Sequence, residues 1–141
     1  MEKNIKHGEL SRKIIGASMA VLNELKPGQD EKIYENSLVV ELAGQNLSID
    51  QQKQFPVRYK GHLVGTLIPD LIVGSAIIVD TKVVTSFNDA HISQMIGYLT
   101  ITGLDVGLIL NFKYPTLQWK RILRPNLDSG SLMDQDSPTF T

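Results

Sequence analysis

The sequence predicts an α/β protein in which a meandering mixed sheet carries helices on its faces. Three observations lead there. Apolar residues recur at helical spacing over residues 9–45, and strand-like runs broken by Lys60-Gly61 and Gly74-Ser75 fill residues 47–84. A further helical stretch then separates these runs from two more apolar strands. The resulting order is helix, helix, three strands, helix, two strands.

Residues 9–25 place Leu10, Ile14, Ala17, Val21, Leu22 and Leu25 on one helical face, and Lys26-Pro27-Gly28 ends that helix. A second helix is expected from Asp30, as N-cap, to Gln45, with Tyr34, Leu38 and Leu42 stacked four residues apart and Gly44 or Asn46 closing it. Strands are predicted over Gln52–Tyr59, His62–Val73 and Ala76–Val84, with Pro56 marking an edge or a bulge in the first. Ser86 to Thr102 reads as a helix with Ile92, Met95, Ile96 and Leu99 as its buried stripe and Gly103 as its stop. Val106–Phe112 is a continuous apolar run, the pattern of a strand covered on both faces. Leu117–Leu123 alternates and forms the final strand.

A chain of 141 residues with 42% hydrophobic content can build one proper core, so residues 1–124 are expected to form one domain. Residues 125–141 are rich in Ser, Asp and Gly and are expected to be a disordered acidic tail. The chain contains no cysteine, which excludes disulfides and thiolate metal sites. No apolar run approaches the ~20 residues that span a bilayer, so no membrane association is expected. The stretch MEKNIKHGELSRK lacks the apolar core of a secretory signal, and a cytoplasmic protein is expected. Net charge is −1, but Asp128, Asp134 and Asp136 lie in the tail, leaving 14 basic against 12 acidic side chains in the body. That balance permits a local basic patch without a strongly basic face.

The chemistry concentrates in Pro69-Asp70 and Asp80-Thr81-Lys82. Asp80 and Lys82 are two apart on one strand and share a face, and Asp70 at the start of the preceding strand can sit across from them. Carboxylates in an apolar hairpin are costly to desolvate unless something pairs with them. Two carboxylates beside one lysine can hold a divalent metal and an activated water, the arrangement of a metal-dependent phosphodiesterase. No Walker loop, GxSxG elbow or histidine metal-ligand spacing competes with that reading.

With these residues in this order of elements, the chain resembles the PD-(D/E)xK nuclease superfamily, whose core is αβββαβ, and within it the small GxxExxY family. Gly28, Glu31 and Tyr34 match every fixed position of that motif, and Glu35 follows. Asp70 falls at the first acidic position, and Asp80-x-Lys82 supplies the second acid and the lysine, with Asp where the family usually has Glu. Gln94 fits the helix glutamine, and Tyr98, Gly103, Gly107, Asn111 and Phe112 fit the pattern that follows it. The likeness runs over residues 10–124.

The resemblance implies a restriction-endonuclease-like fold with an extra N-terminal helix and a C-terminal strand. It also implies a Mg²⁺- or Mn²⁺-dependent nuclease acting on DNA, less readily on RNA. Asp70, Asp80 and the Thr81 carbonyl become the metal ligands, and Lys82 orients or helps deprotonate the attacking water. Glu31 or Glu35, which share a helix face, completes the metal site, with Glu31 as first choice; Gln94 supports the lysine and the phosphate. Tyr34 is expected to pack its helix on the sheet, and His91 is expected to be a surface residue. Arg58, Lys60, His62, Lys113, Lys120, Arg121 and Arg124 are candidates for phosphate contacts. A homodimer would offer paired sites to a duplex. The alternative function is a catalytically inactive module that keeps the fold to bind nucleic acid or a protein partner.

Overall fold

In the computed structural model the described residues are 6–125 and 135–137. Helices α1 (Gly8–Leu25) and α2 (Glu31–Ala43) are followed by strands β1 (Ile49–Gln51), β2 (Phe55–Tyr59), β3 (His62–Leu67), β4 (Leu71–Val73) and β5 (Ile77–Lys82). Helix α3 (Asp89–Thr102) leads to β6 (Val106–Asn111), β7 (Gln118–Leu123) and a two-residue β8 (Gln135–Asp136). The main sheet has the order β1-β4-β5-β6-β7-β8, while β2 and β3 form a separate two-stranded ribbon. Among the described strands only the β5–β6 pair is parallel; it is the pair joined through α3, because a parallel neighbour requires a crossover.

The alternation of side chains along the strands divides the core in two. Leu71, Val73, Ile77, Val79, Val106, Leu108 and Leu110 face α1 and α2, where they meet Ile14, Val21, Tyr34 and Leu38. Ile72, Ile78 and Ile109 face α3 and pack on Met95 and Leu99. The result is a three-layer α/β/α sandwich, the predicted class. Strand β6 is buried along its whole length, as its unbroken apolar run predicts for a strand covered on both faces.

Local signals set most element ends. Lys26 takes a positive φ of 65° and donates its N–H to the Leu22 carbonyl, ending α1 before Pro27. Asp30 stands as N-cap of α2 but caps through the backbone alone. Gly44 is still helical, and Asn46, at φ 62°, takes the left-handed position that turns the chain. Helix α3 begins three residues later than Ser86. Asn88 and His91 form a reciprocal capping box, Asn88 Oδ1 accepting from the His91 N–H and His91 Nδ1 accepting from the Asn88 N–H. Both residues of each two-residue turn, Lys60-Gly61 and Gly74-Ser75, have positive φ, the mirror-image turn that matches hairpin twist.

The three-strand prediction for residues 47–84 requires correction. The His62–Val73 run is two strands, because Ile68-Pro69-Asp70 breaks the ladder and Pro69 brings no N–H. The first strand of the main sheet is the short Ile49–Gln51, and Gln52–Tyr59 instead contributes to the projecting ribbon. The ribbon's register slips between Val57 and Arg58, one residue past Pro56, giving the bulge that proline suggested. Of the expected tail, residues 125 and 135–137 are described: β8 pairs with β7 and the Ser137 N–H donates to the Trp119 carbonyl, while residues 126–134 and 138–141 lie outside the described residues.

Gly107 marks the tightest contact between sheet and helix. A Cβ built there would stand 2.3 Å from Met95 Sδ and 2.6 Å from its Cγ, and Met95 is fully buried. Gly107→Ala should therefore destabilise the protein by about 1–3 kcal/mol through overpacking. A calorimetric melt checks this, and an unchanged Tm would mean the α3 contact yields freely.

Candidate functional site

Strand β5 carries the site at its C-terminal end. Ile78, Asp80 and Lys82 alternate onto the α3 face, while Thr81 points the other way. Asp80 is only 6% exposed. Asp70, in the break that precedes β4, lies beside it and accepts a hydrogen bond from the Thr81 N–H at Oδ2 (3.2 Å) and lies 3.4 Å from the Thr81 hydroxyl. This contact occurs because β4 begins only at Leu71, opposite Val79, leaving the Thr81 backbone edge uncovered for the Asp70 side chain. A strand residue's carbonyl shares the edge of its N–H, so the Thr81 carbonyl faces the same gap.

Lys82 Nζ lies 3.1 Å from Asp80 Oδ2, with both side chains largely buried. Apart from this ion pair, Asp80 Oδ2 is a buried oxygen with no hydrogen-bond partner among the described residues. Burial pushes the Asp80 carboxyl up to about 7. Asp70 adds to the rise by hydrogen bonding and by charge repulsion, and Lys82 opposes it.

The two helices bring further groups to this end of the sheet. Glu31, in the first turn of α2, accepts the Val83 N–H at 3.0 Å and so ties the helix to the chain leaving β5. Glu35, one turn later, is 2% exposed rather than solvated. It accepts from Lys32 Nζ (3.2 Å), Gln51 Nε2 (2.8 Å) and Gln52 Nε2 (3.0 Å). From α3, Tyr98 lies close enough to feel the acidic pair: burial raises its phenol pKa, and Asp80 and then Asp70 raise it further. His91 is lowered by burial and by the Lys82 charge, against the pull of Glu31. Its Nδ1 is already engaged in the α3 cap.

The structure thus gathers Asp70, Asp80, Thr81 and Lys82 into one cluster. Glu31 and Glu35 instead bond to different partners, Val83 for the first and Lys32, Gln51 and Gln52 for the second. Gln94 lies exposed on α3, between His91 and Tyr98 in sequence. Among the described residues no group of three or more Asp, Glu, His or Cys side chains is placed to hold a metal together. Glu35 reaches the acidic pair only indirectly: Gln52 Nε2 donates to Glu35 and, at 3.5 Å, to Asp70 Oδ1, while the Gln52 N–H donates to the Asp70 carbonyl.

Gln52 and Asn111 carry structural roles here that the sequence reading did not assign. Gln52 adopts a positive φ of 57°, which folds it back over Asp70, and a glutamine in a polar Gln-Gln-Lys-Gln run has no pattern to announce it. Asn111 is fully buried. Its amide exchanges hydrogen bonds with the N–H and carbonyl of Val84, fixing the chain just past Lys82.

The Gly28-x-x-Glu31-x-x-Tyr34 motif also acquires a physical account. Gly28 has φ 116°, a conformation that disfavours side chains. The Tyr34 hydroxyl donates to the Lys26 carbonyl and accepts from the Gln29 N–H, and its ring stacks on Phe112 at 4.7 Å, packing the helix on the sheet as expected. Together these hold the start of α2 at the height where Glu31 meets Val83.

Two of the expected phosphate-binding arginines have internal partners instead. Arg121 is 4% exposed and donates to the Lys6 carbonyl and toward Ser11 Oγ, because its position on β7 faces α1. Arg124 is paired with Asp105 at 2.7 Å, an interaction that lowers the Asp105 pKa.

No helix among the described residues is long and apolar enough to cross a membrane. No curated protein and no solved structure matches the chain. A family model described as the PD-(D/E)XK nuclease superfamily matches residues 8–122, which takes in both core helix layers, the main sheet from β1 to β7 and every residue of the cluster. Nuclease activity, a nucleic-acid substrate and use of divalent metals characterise that superfamily, and the mixed sheet with its flanking helices agrees with its restriction-endonuclease-like fold. By this match, the chain belongs to the PD-(D/E)XK nuclease superfamily.

Proposed function

We propose that the protein is a Mg²⁺- or Mn²⁺-dependent nuclease of the GxxExxY type that hydrolyses phosphodiester bonds in DNA. The observation that carries this reading is the buried Asp80 oxygen without a hydrogen bond, set against Asp70 and Lys82. A like-charged pair in a desolvated position is unfavourable for the apoprotein, and a bound cation relieves it. The residues fit such a cation. Asp70 and Asp80 offer hard oxygen donors, and Thr81 offers its carbonyl on the same edge. Mg²⁺ typically takes one or two carboxylates plus water and substrate phosphate, so a third protein carboxylate is not required.

When bound, the ion supplies Lewis-acid polarisation of the scissile phosphate and a lowered pKa for its water. Lys82, on the same strand face as Asp80, holds the attacking water and stabilises negative charge on the phosphorus centre. Glu31 positions the β5 exit through Val83, and Glu35 positions Asp70 through Gln52. Gln94, exposed on α3, supports the lysine and the phosphate in this reading. A cysteine-free composition fits a cytoplasmic location.

Calorimetric Mn²⁺ titration of the wild type beside an Asp70→Asn/Asp80→Asn variant tests the site without knowledge of the substrate. The wild type should bind Mn²⁺ at millimolar concentration or below and the variant should not, with parallel loss of cleavage of labelled DNA. A wild type that binds nucleic acid but shows neither metal binding nor cleavage would instead identify an inactive nuclease-fold module.

A further inference from the structure

The geometry points to the β2–β3 ribbon as an arm that grips duplex DNA beside the cleavage site, an inference that rests on the nuclease reading above. The ribbon is not part of the main sheet. Phe55 at its base packs against the α3 layer, and from Arg58 to Thr66 every residue is exposed. An isolated two-stranded ribbon is at best marginally stable in water, so a projecting one with Tyr59, Leu63 and Val64 each at least 60% exposed calls for an occupant.

Charge identifies that occupant. From Gln51 to Pro69 the chain has Lys53, Arg58, Lys60 and His62 but no Asp or Glu, within a protein whose net charge is −1. Lys53 and Lys60 lie over the rings of Phe55 and Tyr59, at 5.5 Å and 5.4 Å from their centroids, and neither they nor Arg58 form an ion pair among the described residues. These are cations without anions on a surface with apolar side chains between them, which suits phosphates flanking a groove.

Position and shape narrow the choice to DNA. The descending strand β3 runs through Ile68 and Pro69 directly into Asp70, so anything held along the ribbon is held beside the acidic pair. A two-stranded ribbon has the dimensions that the major groove of B-form DNA admits, whereas the deep, narrow major groove of an RNA duplex excludes it.

The test measures fluorescence anisotropy of a labelled DNA duplex, and of an RNA duplex of the same sequence, with EDTA present so that no strand is cut. Wild type is compared with Lys53→Gln/Arg58→Gln/Lys60→Gln. The variant should bind the DNA at least ~10-fold more weakly at moderate salt, and its log–log salt slope should be shallower by roughly 2 to 3, since each lost phosphate contact removes about 0.9. Mn²⁺ binding and hydrolysis of a small phosphodiester, bis(p-nitrophenyl) phosphate, should match wild type, as should the melting temperature. An unchanged Kd and salt slope in a variant whose parent cuts DNA would overturn the arm while leaving the nuclease intact. Equal or tighter wild-type binding to the RNA duplex would overturn the choice of DNA. A wild type that binds DNA through these cations yet neither binds Mn²⁺ nor cleaves either diester would keep the arm and reject the nuclease.

Discussion

Asp80→Asn is expected to abolish cleavage and, in metal-free protein above neutral pH, to raise thermal stability. Cleavage should fall by at least ~10³-fold, because the amide cannot supply the charge that holds a divalent ion and several kcal/mol of phosphate activation go with it. The stability gain follows from the sign of the pKa shift. The folded-state value of about 7 lies above the ordinary 3.8. Between those values the folded protein holds a proton that the unfolded chain has released, so stability falls as pH rises from about 4 to about 7 and is then flat. The whole shift corresponds to at most about 4 kcal/mol. Asparagine never ionises and escapes that loss. Melting curves in EDTA should therefore coincide for the two proteins near pH 4 and separate by several degrees at pH 8, with the variant higher. Added Mn²⁺ should raise the wild-type Tm at pH 8 and leave the variant unmoved. A variant melting at or below wild type at pH 8 would show that the Asp80 charge is not held at a cost.

Lys82→Ala should lower cleavage by about 10²- to 10³-fold while metal binding survives in altered form. The ammonium lies 3.1 Å from Asp80 and is the one neighbour that lowers its pKa. Its loss leaves burial and Asp70 unopposed, so the proton is held more tightly. The pH midpoint for Mn²⁺ binding should then move upward from wild type, as read by calorimetry across pH 6–9. Lys82→Arg separates charge from position. It should return that midpoint toward wild type while cleavage stays low, because a planar guanidinium cannot place its donors where the ammonium does. Full activity in Lys82→Arg would reduce the lysine's role to charge alone.

The acidic pair and the lysine were legible because period-2 alternation is local. Asp80 and Lys82 must share a face wherever the strand lies, and carboxylates in an apolar hairpin stand out against the expected pattern. Tyr34, Leu38 and Leu42 were equally legible from their spacing, as was the Gly103 stop, which takes the left-handed conformation at φ 76°. The strand count between Asn46 and Asp70 was not. His62–Val73 has β propensity throughout, and only pairing decides that Leu67 ends a ribbon while Leu71 starts a strand of the sheet. The arginines show the same limit: Arg121 and Arg58 both sit in alternating strands, yet one is buried on Ser11 and the other projects into solvent.

Composition, periodicity and motif spacing by themselves determined the α/β class, the helices and their buried faces, and the trio Asp70, Asp80 and Lys82, since each depends on residues near one another in sequence. Tertiary structure alone decided which groups join that trio. The Glu31 contact with Val83 spans 52 residues, and the Glu35 contacts with Gln51 and Gln52 span 16 and 17. Those partners meet because α2 packs across the end of the sheet on the Tyr34–Phe112 stack, a long-range burial with no local signature. Asp80, on the α3 face of β5, loses its solvent to a different set of long-range contacts, so the shift of its pKa is a property of the fold rather than of the residue alone.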